Sequence, residues 1–179
     1  IMSKSNNFAF TALHIFAWII FVGLCIEAGA LLVNFVYSLF KPEVVHNLYE
    51  KLDLSQMYNQ NKWVYFGSYS FILTISILKA FLFYAVIKLL MNLDLEKPFN
   101  TSASERITKI SYITLSIGII SYIARQTSMG LTHYGFDTAP LGRFWADSKA
   151  FILMAAVVYV IASIFKRGVE LQNENDLTV

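Results

Sequence analysis

Four stretches of this chain are apolar for about twenty residues or nearly so, and polar connections separate them. A bilayer's hydrocarbon core is about 30 Å thick, and about 20 helical residues cross it. Four such stretches leave too little polar chain to cover them in water, so the sequence predicts a membrane protein. The spans are read at about 13–40, 64–91, 107–125 and 150–166. The first is too long and too polar in its middle for a signal peptide. The last is short, but Lys166 and Arg167 can snorkel, and a polar helix can continue to about Gln172.

Composition agrees. Charged residues make up 15% of the chain and apolar ones 56%, where soluble domains carry about a quarter charged. That excludes a disordered chain or a basic nucleic-acid arm. A formal charge of +2 gives no reason to expect direct binding to nucleic acid. Cys25 stands alone, so no internal disulfide forms; its apolar run marks it as a small buried residue.

The expected fold is all-α: one transmembrane domain over 1–179, an integral membrane four-helix bundle. The first connection, 41–63, contains PEVVHNLYEKLDL. Val45, Leu48, Tyr49 and Leu52 recur at helical spacing, and Pro42 suits a first turn. This predicts a short interfacial helix in the first extracytoplasmic loop. The third connection, 126–148, is rich in glycine and aromatics and is expected to fold back with the first as a cap. Asn100, or Ser102 with Glu105 as a capping box, is expected to start the third span. Lysines and arginines divide almost evenly between the two faces, so the basic tail and the larger aromatic loops decide for cytoplasmic termini.

Two charges lie inside the spans, Glu27 in the first and Lys79 in the second. A charge at the bilayer centre costs at least about 2.5–3.5 kcal/mol and usually faces a partner. Counting from the shared end of the two helices puts both about 20–22 Å deep. An intramembrane ion pair is therefore expected, within a polar face that includes Asn34 and Ser76. Gly23, Gly29 and Ala30 would let helices approach closely. Such a pair can be a switch, a register pin, or the midplane site of a transporter.

Catalytic signatures are missing: there is no phosphate-binding loop, dinucleotide fingerprint or zinc-protease motif. No enzyme activity, catalytic residue, cofactor or metal is expected. In the third connection, His133, Tyr134, Asp137, Arg143 and Trp145 read either as interfacial aromatics with polar neighbours or as an outer pocket.

Two segments carry a resemblance. LEKPFN at 95–100 and FKRGVELQNENDLTV at 165–179 resemble a bacterial family of small four-span membrane proteins, domain of unknown function 2975. LEKPF lacks the glycine that precedes PF in many relatives. The resemblance implies the bacterial cytoplasmic (inner) membrane. It also implies a cytoplasmic partner, because such proteins are often encoded beside a small Cro/C1-type helix-turn-helix regulator. The matching surface would be Arg167, Glu170, Asn173, Glu174 and Asp176 on the cytoplasmic tail, 167–179, with Lys97 and Phe99 nearby. The function expected is that of a non-enzymatic regulatory or sensory protein. The alternative is a small transporter or lipid-binding protein with a midplane Glu27/Lys79 site.

Overall fold

A computed structural model describes residues 4–93 and 99–176, the side chains of 4–9 and 175–176 excepted. The helices are α1 (Lys4–Phe40), α2 (Ser55–Gln60), α3 (Lys62–Asn92), α4 (Thr101–His133), α5 (Gly142–Trp145) and α6 (Ser148–Asp176). No strand occurs among the described residues. Helices α1, α3, α4 and α6 are each long and apolar enough to cross a membrane. The fold is the all-α, four-helix membrane architecture that the sequence implies.

Helix α4 outruns its expected span at both ends because a cap and a turn, not hydropathy, end it. Asn100 accepts a hydrogen bond from the Ala103 N–H at 2.8 Å, so α4 begins well before its apolar stretch. The alternative box does not form: Ser102 Oγ accepts from Arg106 Nε at 3.2 Å instead. At its other end α4 passes Arg125 and reaches His133. Gly135 at φ +84° then turns the chain, donating its N–H to the Thr132 carbonyl at 3.0 Å. After Lys166 α6 continues as the expected polar helix, past Gln172 to Asp176.

Packing runs in series: α1 against α3, α3 against α4, and α4 against α6. The α1–α3 contact is aromatic. Phe35 stacks on Tyr69 at 5.3 Å and meets Phe66 edge-on at 5.9 Å, while Phe21 meets Tyr84 at 6.0 Å. The Tyr69 hydroxyl donates to the Leu31 carbonyl at 3.0 Å. Only 11% of the most apolar stretch of α1 is buried, against 50% for α4, so α1 is an edge helix and α4 the central one. Cys25 lies on the open side of α1 and is exposed, contrary to the expected burial. Apolar surroundings there are supplied by lipid rather than protein.

The α4–α6 contact is a seam of small residues. Ser104, Ser111 and Gly118 recur every seven residues on α4, as do Ser148, Ala155 and Ala162 on α6, and all are buried. A seven-residue repeat keeps such a stripe facing its neighbour along the whole contact. Ser111 Oγ donates to the Ala155 carbonyl across the seam at 3.0 Å. A Cβ on Gly118 would lie 2.7 Å from Ile152 Cγ1 and 2.9 Å from Ile152 N. The expected close approach at Gly23 and Gly29 is not found, since both face open space. They fall off the buried stripe of α1, which runs through Ala17, Ala28, Leu31 and Ser38.

The two larger connections form one cap. Pro42–His46 and Tyr49–Lys51 are separate 3-10 turns rather than the single interfacial helix expected over this stretch. Glu50 and Lys51 take φ of 54° and 59°, which ends helical propagation and turns the chain back. Leu48 N–H then donates to the Leu52 carbonyl at 3.0 Å. Val45, Leu48 and Leu52 are nonetheless buried, together with Leu54, Met57 and Tyr58. Leu141, Phe144 and Trp145 from the other connection complete that cluster above Tyr65 and Tyr69 of α3.

Gly118→Ala should force α4 and α6 apart, at a cost of about 1–3 kcal/mol. Gly29→Ala should be neutral or stabilise by about 0.5–1 kcal/mol through helix propensity alone. Thermal unfolding in a single mild detergent measures both; equal effects at the two sites would contradict the seam.

Candidate functional site

Glu27 and Lys79 are at matching depth but not in contact. The Phe21–Tyr84 and Phe35–Tyr69 contacts fix the α1–α3 register and set Glu27 opposite the turn around Ile77. Lys79 leans toward α6 instead, with its Nζ 5.9 Å from the centre of the Phe151 ring. The expected ion pair is therefore not formed. Helix α3 lies between α1 and α4, so a side chain on it can be level with α1 and still face away. Of the polar face, Ser76 is buried and Asn34 half-buried.

The residues expected to line an outer pocket are not gathered around one. Trp145 is buried in the cap core, whereas Tyr134 is 83% exposed at the end of α4. His133 is exposed in the last turn of α4. Asp137 Oδ1 accepts from the Ala139 N–H at 3.1 Å and so caps its own turn. Arg143 is a strap between connections: it lies 3.4 Å from the Glu50 carboxylate and 3.5 Å from the Tyr49 and Glu50 carbonyls. Gln60 adds a second link, donating to the Gly135 carbonyl at 3.4 Å. These residues hold the cap together. No cluster of three metal-ligating side chains occurs among the described residues.

At the opposite face, two distant segments meet. The Phe99 ring, just before α4, packs on Phe165 of α6 at 5.3 Å between centres. Gly168 makes room for it: a Cβ there would lie 2.5 Å from Phe99 Cδ1. Beyond this contact α6 presents Arg167, Glu170, Asn173 and Glu174 to the exterior, with Arg167 Nη1 donating to Glu170 Oε2 at 2.8 Å. Lys97 and the Asp176 side chain, also expected on this surface, lie outside the described residues.

Residues 47–179 match the family described as "Protein of unknown function (DUF2975)". The chain belongs to the DUF2975 family. No curated protein and no solved structure matches it. In this DUF2975 protein the match begins within the cap and takes in α2 to α6, so both the α4–α6 seam and the Phe99–Phe165 contact lie inside it, while α1 precedes it. The two segments that carried the resemblance touch each other in space through Phe99 and Phe165.

Sequence reading counted the cations on this side but did not gather them into a belt around a groove. Lys88 sits over the Tyr84 ring at 4.7 Å and Lys109 over the Phe81 ring at 5.3 Å. Between α4 and α6 a groove of about 550 Å³ carries Lys109, Lys166 and Glu105 on its walls. The seven-residue recurrence of small residues was the signal that could have found it. Large residues flanking a small-residue seam leave a trough over it.

Because Glu27 and Lys79 do not touch, a double-mutant cycle with Glu27→Gln and Lys79→Met should give a coupling energy within about 0.5 kcal/mol of zero. Removing one member of a buried pair would instead cost about 3–5 kcal/mol, with strong coupling. Unfolding in detergent reads the difference.

Proposed function

We propose that this DUF2975 protein is a non-enzymatic regulatory protein of the bacterial inner membrane. Both termini face the cytoplasm, where it holds a small DNA-binding regulator. The observation that carries this reading is the docking of Phe99 on Phe165 and Gly168. It joins the second connection and the end of α6 into one surface, on the face that carries both termini of a four-span chain.

The end of α6 supports the reading in two ways. From Lys166 to Asp176 it runs roughly 15 Å, long enough to stand clear of the bilayer interior as a helix. Its exposed side is polar and of mixed charge, through Arg167, Glu170, Asn173 and Glu174. Helical presentation fixes the spacing of these groups before binding, which lowers the ordering cost a frayed tail would carry. The bilayer is the second partner, through the open faces of α1 and α6. The cap, strapped by Arg143, closes the opposite end and is the part exposed to the exterior in this orientation.

The test is purification of the detergent-solubilised protein co-expressed with a small Cro/C1-type helix-turn-helix regulator, the class of protein often encoded beside proteins of this family. Wild type should retain that protein in stoichiometric amount. Glu170→Lys with Glu174→Lys should retain less than about a tenth, because like charges set at the rim of an interface reject a partner. Both bait proteins should melt at the same temperature. Undiminished capture by the charge-reversed bait, or no capture by the intact one, would overturn the reading.

A further inference from the structure

We propose that the groove between α4 and α6 is a binding site for one anionic phospholipid. This site is separate from the partner surface on α6 and does not rest on the regulatory reading. Its mouth lies at the basic belt, where Lys109 and Lys166 stand on the two walls. Lys109 is shared with a smaller adjoining groove that also carries Lys88 and Arg106. Against these four cations the walls place a single carboxylate, Glu105. The local charge is positive and suits a phosphate with no compensating ammonium.

Below the mouth the walls change character. Tyr112 and Tyr159 line both the mouth and a second hollow of about 370 Å³, so the two adjoin across this pair of rings. That second hollow is lined by Leu115, Ile152 and Ala156, with the seam residues Ser111 and Ala155 at its floor. The Ser111 hydroxyl already donates its hydrogen bond to the Ala155 carbonyl, so Ser111 offers a ligand no free donor there. From Lys166 to Ile152 the trough follows α6 for roughly 21 Å. One leaflet with its headgroup region is about half of 40–45 Å. A phosphate at the lysines and an acyl chain along the trough therefore match its charge, polarity order and length together.

The seam explains why the trough exists. Small residues let the two backbones meet, and Tyr112 and Tyr159, with ring centres 6.4 Å apart, rise beside them. A volume of 300–1,000 Å³ is the usual range of ligand sites. An ordinary annular lipid needs no such recess.

The experiment is native mass spectrometry of the full chain released from detergent and titrated with phosphatidylglycerol. Phosphatidylcholine and glycerol 3-phosphate serve as separate arms. The expected result is one saturable phosphatidylglycerol adduct, with phosphatidylcholine binding about tenfold weaker or less. Lys109→Gln with Lys166→Gln should weaken that adduct about tenfold. Ala156→Trp, which fills the exposed trough without entering the seam, should do the same with the lysines intact. Melting temperatures within a few degrees of wild type would show that each variant is folded. Binding that does not saturate, equal binding of the two lipids, or binding insensitive to Ala156→Trp would overturn the proposal. So would glycerol 3-phosphate displacing the lipid, which would mean that the head alone is recognised.

Discussion

The close approach of α4 to α6 is the contact on which the rest of the molecule depends. In a bilayer no hydrophobic drive pulls two helices together, because lipid chains are as apolar as leucine. What remains is packing at short range, and that needs small residues in register. Ser104, Ser111 and Gly118 meet Ala155, Ala162 and the backbone of Ile152 on those terms, with the Ser111–Ala155 hydrogen bond added. Helix α4 has α6 on one side and α3 on the other, and α3 in turn carries α1. The chain is thus assembled outward from one tight pair. Its outermost member, α1, is held by aromatic rings rather than by backbone approach.

How much of this was legible in the sequence depends on which coordinate is asked for. Depth along the membrane normal was readable. Four apolar stretches became four helices long and apolar enough to span, and residue counting set Glu27 and Lys79 within about a turn of each other, close to the observed register that sets Glu27 opposite Ile77. Azimuth was not readable from hydropathy. When lipid covers most of a helix, its apolar residues point in every direction, and no stripe marks the protein side. Gly23 and Gly29 looked as able to support close packing as Gly118, yet only Gly118 has a neighbour within contact distance. The distinguishing signal was the matched seven-residue spacing on two helices, a property of the pair and not of either helix alone.

The cap teaches the complementary lesson. Val45, Leu48, Tyr49 and Leu52 were read as one apolar face by their spacing; Val45, Leu48 and Leu52 are buried and Tyr49 is half-buried. The backbone that delivers them is not helical, because Glu50 and Lys51 adopt positive φ and reverse the chain. Burial of the right side chains is compatible with several backbones when the segment is short. Arg143 illustrates the same limit. Its charge suggested a ligand, but its position across from Glu50 and the Tyr49 carbonyl makes it a strap between connections far apart in sequence. Nothing local to residues 133–145 announces that partner.

The seam also constrains how the cap and the terminal face can move relative to each other. Helix α6 follows directly from α5 and the buried Trp145 and passes Phe99 at Phe165 and Gly168 before its polar last turns, so it is the continuous element joining the two ends. A piston movement of α6 along its axis would break the Ser111–Ala155 hydrogen bond and drive the Ile152 side chain and backbone past Gly118, where clearance is least. Undocking Phe99 from the Gly168 notch breaks no hydrogen bond that the ring makes and leaves α6 where it is. Close packing transmits displacement in discrete steps rather than smoothly. The packing therefore resists sliding of α6 along α4 more than it resists release of the Phe99 ring.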